Sequence, residues 1–118
     1  MKFGASIGQL MTMCGSMAAE KGWHDKHRSF GEVVALCHSE LSEAFEEYRA
    51  GHAIHETYYS LDNTGIPRKP EGVPTELADV LIRIFDYCWK ENINLEKAIV
   101  EKMEYNATRP YRHGNKVA

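Results

Sequence analysis

No run of apolar residues in this sequence approaches the ~20 needed to cross a bilayer, so no segment reads as a membrane-spanning helix. Met1-Lys2-Phe3-Gly4 is followed by scattered apolar residues rather than a continuous hydrophobic region, so no signal peptide is expected. Cysteine is scarce. Cys14, Cys37 and Cys88 are widely spaced and form no CxxC pair, which argues against a zinc knuckle or a thioredoxin-like redox site. Each lies among apolar neighbours and reads as a buried free thiol, as in a soluble, cytoplasmic protein. Charge of one sign is lacking too. Fourteen Lys and Arg against 17 Asp and Glu give −3, so there is no basic excess for coating a nucleic acid polymer. Neither a nucleic acid polymer nor a membrane is expected as a partner. A small phosphorylated ligand stays open, because local charge decides that.

What the chain does have is helical periodicity. Its 118 residues fit one domain, 1–118, that buries roughly two-thirds of its unfolded surface. Residues 4–21 lack proline, and Ile7, Leu10, Met11, Cys14, Met17 and Ala18 recur at three- and four-residue intervals. Gly22 ends this first helix. Gly4, Gly8 and Gly15 weaken it by about 1 kcal/mol each relative to Ala where interior. Ser29-Phe30-Gly31-Glu32 is a capping box that starts a second helix of about 30–50, stopped by Gly51. Its apolar stripe is Val33, Leu36/Cys37, Leu41, Ala44/Phe45 and Tyr48. Residues 52–73 carry turn chemistry in Asp62-Asn63-Thr64-Gly65, Pro67, Pro70 and Gly72, and read as one long loop. Tyr58, Tyr59 and Leu61 suggest a docked patch or a short helical turn inside it. The third helix starts near Pro74-Thr75, with Leu77, Val80/Leu81, Ile84/Phe85 and Cys88 as its core stripe, and fades near Asn92. Asn94 caps the fourth, which carries Leu95, Ala98/Ile99 and Met103. Pro110 forbids further regular helix. No strand-like alternation of useful length appears. The expectation is an all-α, four-helix, bundle-like subunit.

The chemistry lies in acidic rows. A helix turns 100° per residue, so i, i+3 and i+7 share a face. Glu40, Glu43 and Glu47 form such a face on the second helix. Glu76, Asp79, Arg83 and Asp86 form one on the third. Both rows flank the apolar stripes, so two packed helices can bring them together at the edge of the core. Converging carboxylates repel, more so in a low dielectric. A hard divalent cation relieves this, and Mg²⁺ prefers oxygen ligands with open positions for phosphate and water. Against that stands the commonness of ExxE on solvated faces: either pair alone is more often surface than site. A dinuclear iron bundle competes for the same acids but needs ExxH, and the sequence has none.

Three stretches resemble the MazG-like branch of the all-α nucleoside triphosphate pyrophosphohydrolases. They are His38-Ser39-Glu40-Leu41-Ser42-Glu43-Ala44-Phe45-Glu46, the run from Lys69 through Pro74-Thr75-Glu76-Leu77-Ala78-Asp79 to Arg83, and Glu101-Lys102-Met103-Glu104-Tyr105-Asn106-Ala107-Thr108-Arg109-Pro110-Tyr111-Arg112-His113-Gly114. The likeness spans Trp23 to Lys116. It implies a homodimer or a dimer of dimers, and Mg²⁺-dependent hydrolysis (Mn²⁺ as a possible substitute) of a nucleoside triphosphate to monophosphate and pyrophosphate, in house-cleaning of the nucleotide pool. By the same likeness Glu40, Glu43, Glu76 and Asp79 are the catalytic metal ligands. Lys102, Asn106 and Arg109 reach phosphate or nucleotide. Two departures are visible. The 52–73 segment is longer than in compact members, and Ser39-Glu40 lacks the doubled Glu of some members, which leaves the number of metals open.

Other residues have weaker assignments. A non-ligating oxygen of one of the four carboxylates, or Glu47 nearby, can orient and deprotonate water. Arg112 or Lys116 can join Arg109 on the leaving group. Arg83 reads as a counter-ion to the acidic row or to Asp86. Trp23 can stack on a base or serve as a plain core or interface residue. His24/His27 and His52/His55 have i, i+3 spacing but no carboxylate or Cys partner nearby in sequence, so they read as surface histidines. His38 has no assigned role. Two other readings fit the same features: a non-catalytic helical dimerisation or regulatory module, and a metal-dependent hydrolase of another phosphorylated metabolite.

Overall fold

In the computed structural model, which describes residues 3–117, the chain is mostly helical with one small antiparallel sheet. The order is α1 (Ile7–Glu20), α2 (Phe30–Arg49), β1 (Tyr58–Leu61), β2 (Pro67–Glu71), α3 (Val73–Lys90), α4 (Leu95–Thr108) and a single turn, α5 (Arg112–Asn115). No helix of the described residues is long and apolar enough to cross a membrane.

Local chemistry sets the helix ends. Ser6 and Gln9 form a capping box on α1, and Ser29 and Glu32 form the expected one on α2. Asn94 Oδ1 accepts from Lys97 N–H at the start of α4. Helices α1, α2 and α3 close in the same way. At α1 the N–H of Gly22 donates to Ala19 C=O and that of Trp23 to Ala18 C=O. Gly51 and His52 repeat the pattern on α2, and Asn92 and Ile93 on α3. This closure fixes the path of the chain just past each helix.

α3 is the central helix, with α1 and α2 packed on either side of it. Met11, Phe85 and Cys88 form the buried centre, with Ile7, Leu10, Cys14, Ile84, Trp89 and Leu95 around them. Gly15 explains itself here. A Cβ at that position would stand 2.3 Å from the Trp89 ring, so only glycine lets the indole lie on α1. All three cysteines are free thiols, and burial pushes Cys14 and Cys88 upward in pKa.

Two expectations are corrected. The 52–73 segment is not one loop: it holds a β-hairpin, with Tyr58 opposite Glu71, Tyr59 opposite Pro70, Ser60 opposite Lys69, and a register shift that puts Leu61 opposite Pro67. Asp62 organises its tip. Its Oδ1 accepts from Thr64 N–H at 2.8 Å and Ile66 N–H at 2.9 Å, and its Oδ2 from Arg68 Nε at 2.9 Å. The Thr64 hydroxyl, which donates to Oδ1 at 2.7 Å, and then those donors hold the Asp62 carboxyl well below the usual carboxylate range. Proline survives in β2 because a two-stranded hairpin leaves an outer edge where no N–H is needed.

The second correction concerns the core stripes. Leu41, Phe45 and Tyr48 of α2, Leu77 and Leu81 of α3, Met17 of α1 and Met103 of α4 are exposed in the single chain. α4 joins the α1–α3–α2 layer only at its start, through Leu95 and a contact with α1, so the arrangement is looser than a closed four-helix bundle. Past Pro110, residues 112–115 all have positive φ and make one left-handed turn, not regular helix.

Candidate metal centre

α2 and α3 lie side by side, and their acidic rows meet along the seam. Glu40, Glu43 and Glu76 each bring one carboxylate oxygen to within 4.8 Å of the other two. Glu40 is buried, Glu76 half-buried and Glu43 exposed, so the cluster opens outward from the core. Asp79, one turn beyond Glu76, is half-buried beside this trio rather than within it. Its carboxyl is pushed up by burial first and by Glu40 second, and Arg83 and Lys69 oppose the rise.

Glu76 carries the tension of the cluster. Its pKa is pushed from 4.5 to about 7, by burial first, then by a hydrogen bond with Glu43 and the charges of Glu43, Asp79 and Glu40. Its Oε2 is buried with no hydrogen-bond partner. Such orphaned acceptors are rare because each forfeits its hydration. A small divalent cation at the trio would give that oxygen a ligand role and offset the repulsion, so the donor set fits a hard, oxygen-seeking metal.

Arg83 bears out its assignment as a counter-ion. Its Nε and one terminal nitrogen both donate to Glu40 Oε1, each at 2.9 Å. Glu40 Oε2 is left for another partner. Gly72 sets where α3 begins, and with it Glu76. Its φ of +118° suits glycine, and a Cβ there would come within 2.4 Å of the Glu56 carbonyl oxygen.

The remaining assignments divide. Glu47 is not a free base: Tyr58 Oη donates to its Oε1 at 3.0 Å and its Oε2 at 2.8 Å. That bond to Glu47 is also the main reason the Tyr58 phenol is pushed up to about 12. Glu47 therefore anchors the hairpin to α2. Two of the histidines do have carboxylate partners, His52 within five residues of itself and His24 only through the fold. His52 lies between Glu47 (3.6 Å) and Glu56 (3.1 Å) and stacks on Tyr58. His24 Nε2 donates to Asp86 Oδ1 at 2.6 Å and stacks on Trp89. His27, His38 and His55 are exposed.

Lys102, Asn106 and Arg109 are not brought to the acids within one chain. The cavity bounded by Glu40 and Asp79 takes its walls from α1, the α1–α2 connection, α2 and α3, with none from α4. Lys102 and Arg109 instead flank the Tyr105 ring, at 5.1 and 5.8 Å. Trp23 is exposed but does line that cavity, together with Arg28, whose guanidinium lies 5.7 Å from the indole. Arg28 carries no motif in the sequence. Only the α1–α2 connection places it. Searches for a matching family model, curated protein or solved structure return none.

Proposed function

We propose that this chain hydrolyses a nucleoside triphosphate to the monophosphate and pyrophosphate with Mg²⁺, as its resemblance to the MazG-like pyrophosphohydrolases implies. The observation that carries the reading is the meeting of Glu40, Glu43 and Glu76 within 4.8 Å around a buried, unpartnered Glu76 oxygen. Glu40, Glu43, Glu76 and Asp79 hold the metal. Bound there, Mg²⁺ supplies charge neutralisation for the phosphates and acidifies water. Arg83 positions Glu40 by occupying one of its oxygens. Lys69, on β2, adds positive charge on the Asp79 side. The cavity beside Glu40 and Asp79, about 360 Å³, lies within the range of small-molecule sites.

Lys102, Asn106 and Arg109 act on phosphate in this proposal only from a neighbouring subunit, because α4 stands away from the acids of its own chain. The assembly is a homodimer or homotetramer. Incubating the protein with Mg²⁺ and a panel of standard and modified nucleoside triphosphates, and assaying pyrophosphate, tests the activity. Release from at least one substrate is expected, and no release from any at high enzyme sinks the proposal. Glu43→Gln and Asp79→Asn should each lower turnover about 100-fold or more with helicity retained, since even residues that merely support metal ligands are worth 10–100-fold. An unchanged rate in either variant removes that residue from the site.

A further inference from the structure

Beyond the acids, the cavity continues away from the metal-holding end. Its neighbour, about 50 Å³, is lined by His24, Tyr87 and Lys90, and the two share Trp23, Arg28, Arg83 and Asp86 as walls. A single recess therefore runs from Glu40 and Asp79 to the His24–Asp86 pair. Its far end combines an indole face, a guanidinium and a carboxylate, a set suited to a flat, hydrogen-bonding ring.

Asp86 is held in one orientation. Its Oδ1 accepts from His24 at 2.6 Å, and His24 is braced by stacking on Trp89, which Gly15 in turn admits against α1. Asp86 Oδ2 has no hydrogen-bond donor among the described residues. Asp86 lines the recess and the pair is only part-buried. A fixed carboxylate oxygen can only accept, so whatever fills the recess beside it must present N–H or O–H.

We infer that Asp86, positioned by His24, selects nucleotides whose base carries an exocyclic amino group. The inference rests on the proposed nucleotide substrate and deepens it. Cytosine offers an amino N–H where uracil offers a carbonyl oxygen. In the same pose against Asp86 the first makes a charge-assisted hydrogen bond, and the second sets two acceptors face to face, so uracil must shift to present its N3–H instead. A site that hydrogen-bonds a substrate N–H rejects the analogue lacking it more strongly than an apolar pocket does, because its own polar group is left unpaired.

Cytidine and uridine monophosphates differ only along one edge of the ring, at the 4-position and the adjacent N3, and need no turnover, so their binding to the full chain is the test, by titration calorimetry and quenching of tryptophan fluorescence. CMP should bind about tenfold or more tightly than UMP. Asp86→Asn, which can donate as well as accept, should bring the two within about threefold. Equal binding by the wild type, binding of neither, or a preference that survives Asp86→Asn each overturns the inference. The wild-type comparison decides even if the variant fails to fold. A CMP preference without pyrophosphate release leaves this pocket standing and sinks the hydrolase, whereas release from both pyrimidine triphosphates with no binding preference does the reverse.

Discussion

Glu76 is protonated in the folded, metal-free chain up to about pH 7, while the unfolded chain releases the same proton near 4.5. Between those values the folded state binds more protons than the unfolded state. Stability from this group is thus fully present below about pH 4.5 and is lost as pH rises to about 7. With EDTA present, the melting temperature should fall across that window, and Glu76→Gln should flatten the fall. Mg²⁺ should restore stability, with a larger rise at pH 8 than at pH 5, because the cation competes with the proton for the same oxygens. Differential scanning fluorimetry over pH, with and without Mg²⁺, reads both effects. An identical pH slope in the wild type and Glu76→Gln would contradict the assignment. Arg83 belongs to the same scale. Arg83→Gln removes the charge that occupies Glu40 Oε1, and should weaken Mg²⁺ affinity by about 10–100-fold, measured by titration with the metal alone.

At the scale of elements, close approach decides more than propensity. Gly15 reads as a weakness in α1 from its sequence. In the fold it is the only residue that fits under Trp89, and Trp89 supports His24. Gly15→Ala gains helix propensity, yet it should destabilise the chain by about 1–3 kcal/mol through overpacking, seen as a lower urea midpoint. The hairpin is tied to α2 by one side-chain contact, Tyr58 to Glu47. Tyr58→Phe frees Glu47 and should speed amide hydrogen exchange in β1 and β2 while leaving α1 unchanged. Equal exchange in both proteins would show that the tether does not hold the hairpin. These elements differ in how far the sequence discloses them. The Ser29–Glu32 box, the Asn94 cap and the stops at Gly22 and Gly51 are local events, complete within a few residues, and can be read directly. The Asp62–Gly65 turn is legible too, but its flanking strands are not. They are short, Pro67 and Pro70 interrupt β2, and no period-two pattern marks them. The acidic rows are visible as helix faces, whereas their meeting depends on how α2 lies against α3. The His24–Asp86 pair spans 62 residues of sequence, and no local spacing can foretell it.

At the scale of the molecule, one chain leaves too much surface open. Its accessible area is 9218 Å². A compact monomer of 13.4 kDa should expose roughly 6,500 Å². The radius of gyration, 17.3 Å, likewise exceeds the roughly 13.5 Å of a compact chain this long. The apolar part of this excess is patterned. Val34, Leu41, Phe45 and Tyr48 follow one another by seven, four and three residues on α2, and Leu77 and Leu81 lie one turn apart on α3. Spacings of three, four and seven make a continuous helical stripe, the kind that packs against another helix. The stripe lies on the same two helices as the acids but on a different face from them. An excess of about 2,700 Å² matches what one copy buries in one or two extensive homomeric interfaces. Light scattering should therefore give the mass of two or four chains at micromolar concentration. Leu41→Asp places a charge in the stripe without touching a carboxylate of the centre, and should yield monomer with a lower melting temperature. Under the proposed function it should also lose turnover, because Lys102 and Arg109 then have no second site to reach. A wild-type chain that sediments as a monomer would remove the neighbouring subunit from the mechanism, and the acids would have to act without α4.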